Sequence, residues 1–278
     1  MLAPETLAGV RAVGLDVDGT ISRDDHTVSA RTAAAISRVA ELGVPVFLLT
    51  GRARRNTLEL ATRLGLTNLV ASNNGSITFD PVTNADVALR PMDRGEVRDL
   101  LDLGTELGLE VTWWTTTDIY VSREGDCADM LRMLGEDGVV VGDTSSVPPV
   151  VTKTMLFGTA AQLDAATPVI LARNPRGTRS MDEFFEFVAE DANKWHALED
   201  LLGRYGIAAG AVLGMGDGGN DVPWLTRIGI PVAVGNAREE VKVVASAVAP
   251  ANSEDGVAVV LEALADQLSG ELTARSPR

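Results

Sequence analysis

Short apolar runs alternate with helix-like runs at both ends of this chain, and that rhythm leaves few folds open. Val10–Leu15, Val44–Leu49 and Leu69–Ser72 each read as a strand, with helices over Ser29–Leu42 and Arg54–Leu64 between them. The rhythm returns later: a helix over Lys194–Tyr205, strands over Ala211–Met215 and Ile230–Val234, then helices over Glu239–Ala245 and Val257–Leu268. Strands without polar alternation are buried on both faces. A parallel sheet covered by helices, a Rossmann-like α/β core, is therefore expected. Ser29 is placed to cap the first of these helices.

The middle of the chain breaks the pattern. Val111–Arg123 reads as a long strand or hairpin rich in Thr and aromatics, and Val150–Gly158 and Phe184–Glu190 are also strand-like. Gly/Pro-rich connections separate them at Gly138–Pro149 and Arg173–Gly177. These segments predict an inserted α+β cap over residues 82–188, with the core built from 1–81 and 189–278. A chain of 278 residues has room for two such units. Ser269–Arg278 is expected to fray.

Charge narrows the partners. Lys+Arg 24 against Asp+Glu 39 gives a net charge of −15, which disfavours nucleic acid and anionic membranes. No apolar run approaches the length of a membrane span, and Met1–Thr20 lacks the layout of a signal peptide. The single Cys127 excludes an internal disulfide and reads as an inert thiol. A cytoplasmic protein is the expectation. Lysine is rare, at positions 153, 194 and 242 only, so each lysine invites a reason.

Four segments carry candidate chemistry, each at a strand end or a helix start. Asp16-Val17-Asp18-Gly19-Thr20 follows the first strand, Thr50-Gly51-Arg52 the second, and Gly216-Asp217-Gly218-Gly219-Asn220-Asp221 the strand near residue 213; Lys194 opens a helix. Open α/β sheets bind ligands in the crevice at those carboxyl ends. Hydrolysis of a phosphate monoester needs a nucleophile, cancellation of the phosphoryl charge, and an acid that becomes a base. Asp16 can be the nucleophile, and Asp18, if partly protonated, the acid and then the base. Thr50 and Lys194 can hold phosphoryl oxygens. Asp16, Asp217 and the backbone of Asp18 offer the oxygen ligands that Mg²⁺ prefers.

These runs resemble the haloacid-dehalogenase superfamily of aspartate-nucleophile hydrolases, and more closely its Cof-like sugar-phosphatase branch with a large α/β cap. Asn73-Asn74-Gly75, Val234-Gly235-Asn236-Ala237 and Asn252–Gly256 match as well. The resemblance spans the core and is weak in the cap. It implies Asp16 as nucleophile, Asp18 as acid/base, and Thr50, Gly51 and Lys194 at the phosphate. It further implies Mg²⁺ held by Asp16, Asp18 and Asp217, with Asn220 and Asp221 ligating or orienting, and Arg52 and Asn74 at the substrate. Trp195 stands where the family usually has a small residue, and Trp224 where it more often has Met after the Pro.

Other readings compete. Gly214-Met215-Gly216-Asp217-Gly218-Gly219 matches the dinucleotide fingerprint, but the next strand ends in Gly235-Asn236 rather than an acid, and the loop has no basic residue. A phospho-receiver module has no use for an inserted domain. A catalytically silent sugar-phosphate binder, and a phosphotransferase or mutase sharing the covalent step, stay open as alternatives. In the cap, Arg173, Arg176 and Arg179 are either a solvated loop or a clamp on a second anion. Adjacent Trp113 and Trp114 face opposite sides of a strand, one for the cap core and one for a cleft. The expected partner is a small phosphorylated metabolite.

Overall fold

The structure is a computed structural model that describes residues 3–275. The chain begins with α1 (Pro4–Leu7), β1 (Ala12–Leu15), α2 (Ala30–Glu41), β2 (Val46–Leu48), α3 (Arg54–Arg63), β3 (Val70–Ser72), β4 (Ile77–Phe79) and β5 (Asp86–Leu89). Ser29 caps α2 by accepting from Thr32 N, and Ala35, Ile36 and Val39 form its buried stripe. The cap follows: α4 (Arg94–Leu107), β6 (Glu110–Trp114), β7 (Ile119–Val121), α5 (Asp126–Met133), β8 (Val139–Val141), β9 (Lys153–Phe157), α6 (Ala160–Arg173), β10 (Thr178–Met181) and β11 (Phe184–Phe187). The chain then returns to the core with α7 (Lys194–Tyr205), β12 (Val212–Gly216), α8 (Val222–Leu225), β13 (Ile230–Ala233), α9 (Glu239–Val244), β14 (Ala247–Val248) and α10 (Gly256–Arg275).

The core sheet has the order β14-β13-β12-β1-β2 and every neighbouring pair is parallel. Leu15 pairs with Leu48 on one side and Met215 on the other. That register brings the ends of β1, β2 and β12 to one edge. A small antiparallel sheet, β3-β4-β5, continues from this side through a Leu49–Ala71 bridge. Since β5 pairs with β4 and reaches Leu89, we place the first crossing into the cap after Leu89, later than the expected residue 82.

The cap is a six-stranded sheet, β10-β11-β9-β6-β7-β8, antiparallel except for β7 with β8. Val111–Arg123 is the hairpin β6–β7, and the expected connection Gly138–Pro149 contains β8. One face of the sheet packs Val111, Trp113, Leu156 and Phe185 against α4 and α6. The other packs Trp114, Met155, Phe157 and Phe184 with α5 and with Ala53 of the core. Both tryptophans are thus buried, on opposite faces as expected, and Trp113 stacks on Tyr120. Of the segment Ser269–Arg278, residues up to Arg275 continue α10, and residues 276–278 lie outside the described residues.

Candidate active site

Asp16 is the first residue beyond β1 and is buried. Lys194 is the first residue of α7, and Asn193 caps that helix by accepting from His196 N, which fixes where the lysine leaves the backbone. Lys194 Nζ donates to Asp16 Oδ1 and to Asp221 Oδ1 (2.7 Å). Burial would lower the lysine's pKa, but these two carboxylates outweigh it and hold the ammonium above its ordinary range.

Asp217 follows β12 on the neighbouring strand. Its Oδ1 accepts from Thr20 Oγ1 at 2.9 Å. Gly19 turns the chain here at φ +80°, and a side chain in its place would run into the Asp217 carboxylate. Asn236 Nδ2 donates to Gly19 O (2.8 Å), and Asn252 Nδ2 to Ser22 O (2.9 Å). The late Asn-containing runs therefore brace the Asp16–Thr20 turn.

Carboxylate oxygens of Asp16, Asp217 and Asp221 lie within 4.8 Å of one another. Burial and then the Asp221 charge push Asp16 well above the usual carboxylate range, and the same two causes raise Asp217. Lys194 alone does not offset this much negative charge, so the donor set fits a hard divalent cation. Asp16 and Asp217 are the fitting ligands. Asp221 is not: its oxygens already accept from Lys194, Trp224 Nε1 (2.9 Å), Asp217 N and Gly218 N (3.0 Å each). It orients the cluster. Asn220 sits exposed on the same loop.

Asp18, half-exposed, faces the cap. Arg52 grips it with Nη2 on Oδ1 (2.6 Å) and Nε on Oδ2 (3.0 Å), and His26 Nδ1 is 3.9 Å away. Burial pushes this carboxyl up, but the Arg52 hydrogen bonds and charge, with His26, outweigh burial and hold it low. This grip favours the ionised form, so the acid role that the sequence gives Asp18 on condition of partial protonation requires Arg52 to be displaced. Thr50 is buried, and its Oγ1 accepts from Arg52 N (3.1 Å), while its hydroxyl proton has no acceptor among the described residues. Asn74 N donates to Thr50 O (2.8 Å), and Gly51 lies against the Asn74 side chain.

Arg173 and Arg176 do not join this group. Arg173 Nη2 donates to Glu106 (2.7 Å) and Arg176 Nη2 to Glu96 (2.8 Å), both on α4, on the cap face turned away from the core. Arg179 pairs with Asp164 (3.1 Å). The anion clamp gives way to a surface network whose charges already have partners. Sequence reasoning also missed the Trp224 hydrogen bond to Asp221. The signal was a Trp three residues after an Asp, the spacing of one helical turn.

A family model described as haloacid dehalogenase-like hydrolase matches residues 13–261. The chain belongs to the haloacid dehalogenase-like hydrolases. It is an enzyme, a hydrolase of the phosphatase type. A 5-amino-6-(5-phospho-D-ribitylamino)uracil phosphatase of Bacillus subtilis is 25% identical over 90% of this chain and 96% of its own length. A phosphoglycolate phosphatase of Methanopyrus kandleri is 27% identical over 91% and 96%. Among solved structures, a haloacid dehalogenase-like hydrolase from Bacteroides thetaiotaomicron superposes with a TM-score of 0.84 at 24% identity, covering 91% of this chain and 98% of its own. A subclass IIB sugar phosphatase gives 0.76 at 22%, with the same coverage. These structural likenesses are of fold.

Proposed function

We propose that this hydrolase releases phosphate from small phosphorylated metabolites, sugar phosphates foremost, by passing the phosphoryl group through Asp16 with Mg²⁺ as cofactor. The observation that carries the reading is the buried Asp16 carboxylate at the end of β1, against the Lys194 ammonium and beside Asp217. A carboxylate held there by a fixed cation is aimed at the crevice rather than free to turn away.

The residues divide the work. Asp16 attacks phosphorus and the leaving alkoxide takes a proton from Asp18; a water then attacks the acyl-phosphate as Asp18 takes its proton back. Asp18 gains its acid form once the entering substrate displaces Arg52 and brings a phosphoryl dianion beside it. Lys194 and the Thr50 hydroxyl proton meet non-bridging oxygens, with the Gly51 segment alongside. Mg²⁺, held by Asp16, Asp217 and the Asp18 backbone, would offset the remaining phosphoryl charge. The cap closes over the site, and Arg52 and Asn74 face what binds there.

The size of the cap favours small substrates over a phosphoprotein. The net charge of −15 argues against nucleic acid or membrane partners, and we assign the enzyme to the cytoplasm. The names of the Bacillus relative and the subclass IIB neighbour support a polyhydroxylated leaving group. The test is phosphate release from a panel of phosphorylated metabolites, with and without Mg²⁺, using Asp16→Asn as blank. Metal-dependent release lost in that variant is expected. Release that survives the substitution would refute the mechanism.

A further inference from the structure

Glu110 opens β6 and is only 7% exposed, although acidic side chains are seldom buried without a partner. Its Oε2 has no hydrogen-bond partner among the described residues. Its Oε1 lies 3.3 Å from Arg123 Nη2, on a side chain that is itself 66% exposed. A buried carboxylate oxygen with no donor asks for an explanation.

That carboxylate belongs to the wall of a cavity of about 340 Å³ at the end of the cap sheet where β6 begins and β9 finishes. Asp126, exposed at the start of α5, and Glu183, half-buried in the turn before β11, line the same cavity. Glu183 O accepts from Gly158 N (3.2 Å), which ties that turn to the end of β9. Thr159 and Gln162 also reach the wall, but they bond to each other in the capping box of α6. Three carboxylates therefore share one guanidinium, that of Arg123. The catalytic site is elsewhere. Phe157 at this cavity and Lys153 at Gly51 are opposite ends of β9, about 13 Å apart at the rise of a strand.

The spacing of the acids decides what fits. Among the described residues, only Asp16, Asp217 and Asp221 bring three acidic oxygens within 4.8 Å of one another, so the Glu110 group is too spread for a bare divalent cation. About 15 Å³ is enough to hold one water, and this cavity has room for a molecule of several heavy atoms. Its wall lacks positive charge and N–H donors at more than one point, which an organic polyamine supplies. Phe157 offers an apolar side to the methylenes between the amines.

We propose that this cavity is a second binding site, for a small organic cation of the aliphatic diamine class, with Glu110 as its inner anchor and Asp126 and Glu183 at the rim. The assignment does not depend on the reaction that the core performs.

The experiment is isothermal titration of the full chain with 1,4-diaminobutane. The controls are 1,4-butanediol, which has the same length and no charge, and sodium chloride at equal ionic strength. Saturable one-to-one binding is expected for the diamine and for neither control. Glu110→Gln should weaken it by about tenfold, the worth of one charge-assisted hydrogen bond. Glu183→Gln, at the rim, should weaken it severalfold and decides the matter if thermal unfolding shows that Glu110→Gln does not fold. Asp16→Asn should bind the diamine as the wild type does. No binding, equal binding of the diol, or unchanged affinity in the folded Glu110 and Glu183 variants would overturn the proposal. So would loss of binding in Asp16→Asn, which would move the diamine to the catalytic acids.

Discussion

Four donors converge on the Asp221 carboxylate, and a carboxylate has about four lone-pair sites to offer. The residue therefore holds Lys194 in place instead of binding metal. Trp224 supplies one of those donors from a fully buried ring. Gly14 and Gly214, paired across β1 and β12, leave the space that ring fills. Trp224→Phe should cost about 1–3 kcal/mol, because it leaves a buried carboxylate short of a donor. Thermal unfolding reads this as a Tm lower by several degrees, and kcat should fall as Lys194 loses its alignment. Arg52 acts on Asp18 in the same local way. Arg52→Ala removes the group that holds Asp18 low, so its pKa rises and the alkaline limb of kcat/KM, set by loss of the Asp18 proton, moves to higher pH. Arg52→Lys should restore that limb only in part, since a point charge does not reproduce the two-pronged grip.

Among elements, α3 shows how the cap and core depend on each other. Its N-cap is Ala53, which has no side chain to give, and Glu136 from the cap accepts from Ala53 N and from Asn56 Nδ2 (2.9 Å) instead. Burial raises Glu136 from 4.5 to about 7, against the pull of Lys153, the Ala53 amide and Arg52; Asp18 adds to the rise. A carboxyl raised only in the docked state favours docking most when protonated. The support is complete below 4.5 and is lost as pH rises through 7. KM for the wild type should thus climb across that window relative to Glu136→Gln, whose profile stays flat. Matching profiles would remove Glu136 from cap docking.

The elements most legible in the sequence are those whose burial is complete. The α7 bounds agree with the reading from residue pattern, and β1, β2, β12 and β13 differ by a residue or two. The cap helices α4 and α5 escaped notice because their apolar positions are interleaved with charge, and α6 because Pro168 interrupts its pattern. The strand β8 was hidden in a Gly-rich stretch with half-exposed valines. The dinucleotide-like glycines have another cause: Gly214 makes room for Trp224, and Gly216 for the Asp221 side chain.

At the scale of the whole molecule, the core residues could be read because their types and order meet at one sheet edge. The cap residues could not, since the packing of cap on core brings Lys153 to Gly51 and Glu186 to Asn74 from far apart in the chain. Rarity marked Lys153 in the sequence, but nothing there gave its partner. Chelation by EDTA should abolish phosphate release and added Mg²⁺ should restore it; activity indifferent to EDTA would count against the Asp16–Asp217 site. The central claim is that the phosphoryl group passes through Asp16. The most direct measurement is mass spectrometry of Asp18→Asn quenched during reaction with an aryl phosphate, whose phenolate leaves without an acid, so that the step that removes the phosphoryl group is the one slowed. The account predicts one added phosphoryl group on the peptide that carries Asp16. Turnover with no such adduct, or an adduct on another residue, would contradict it.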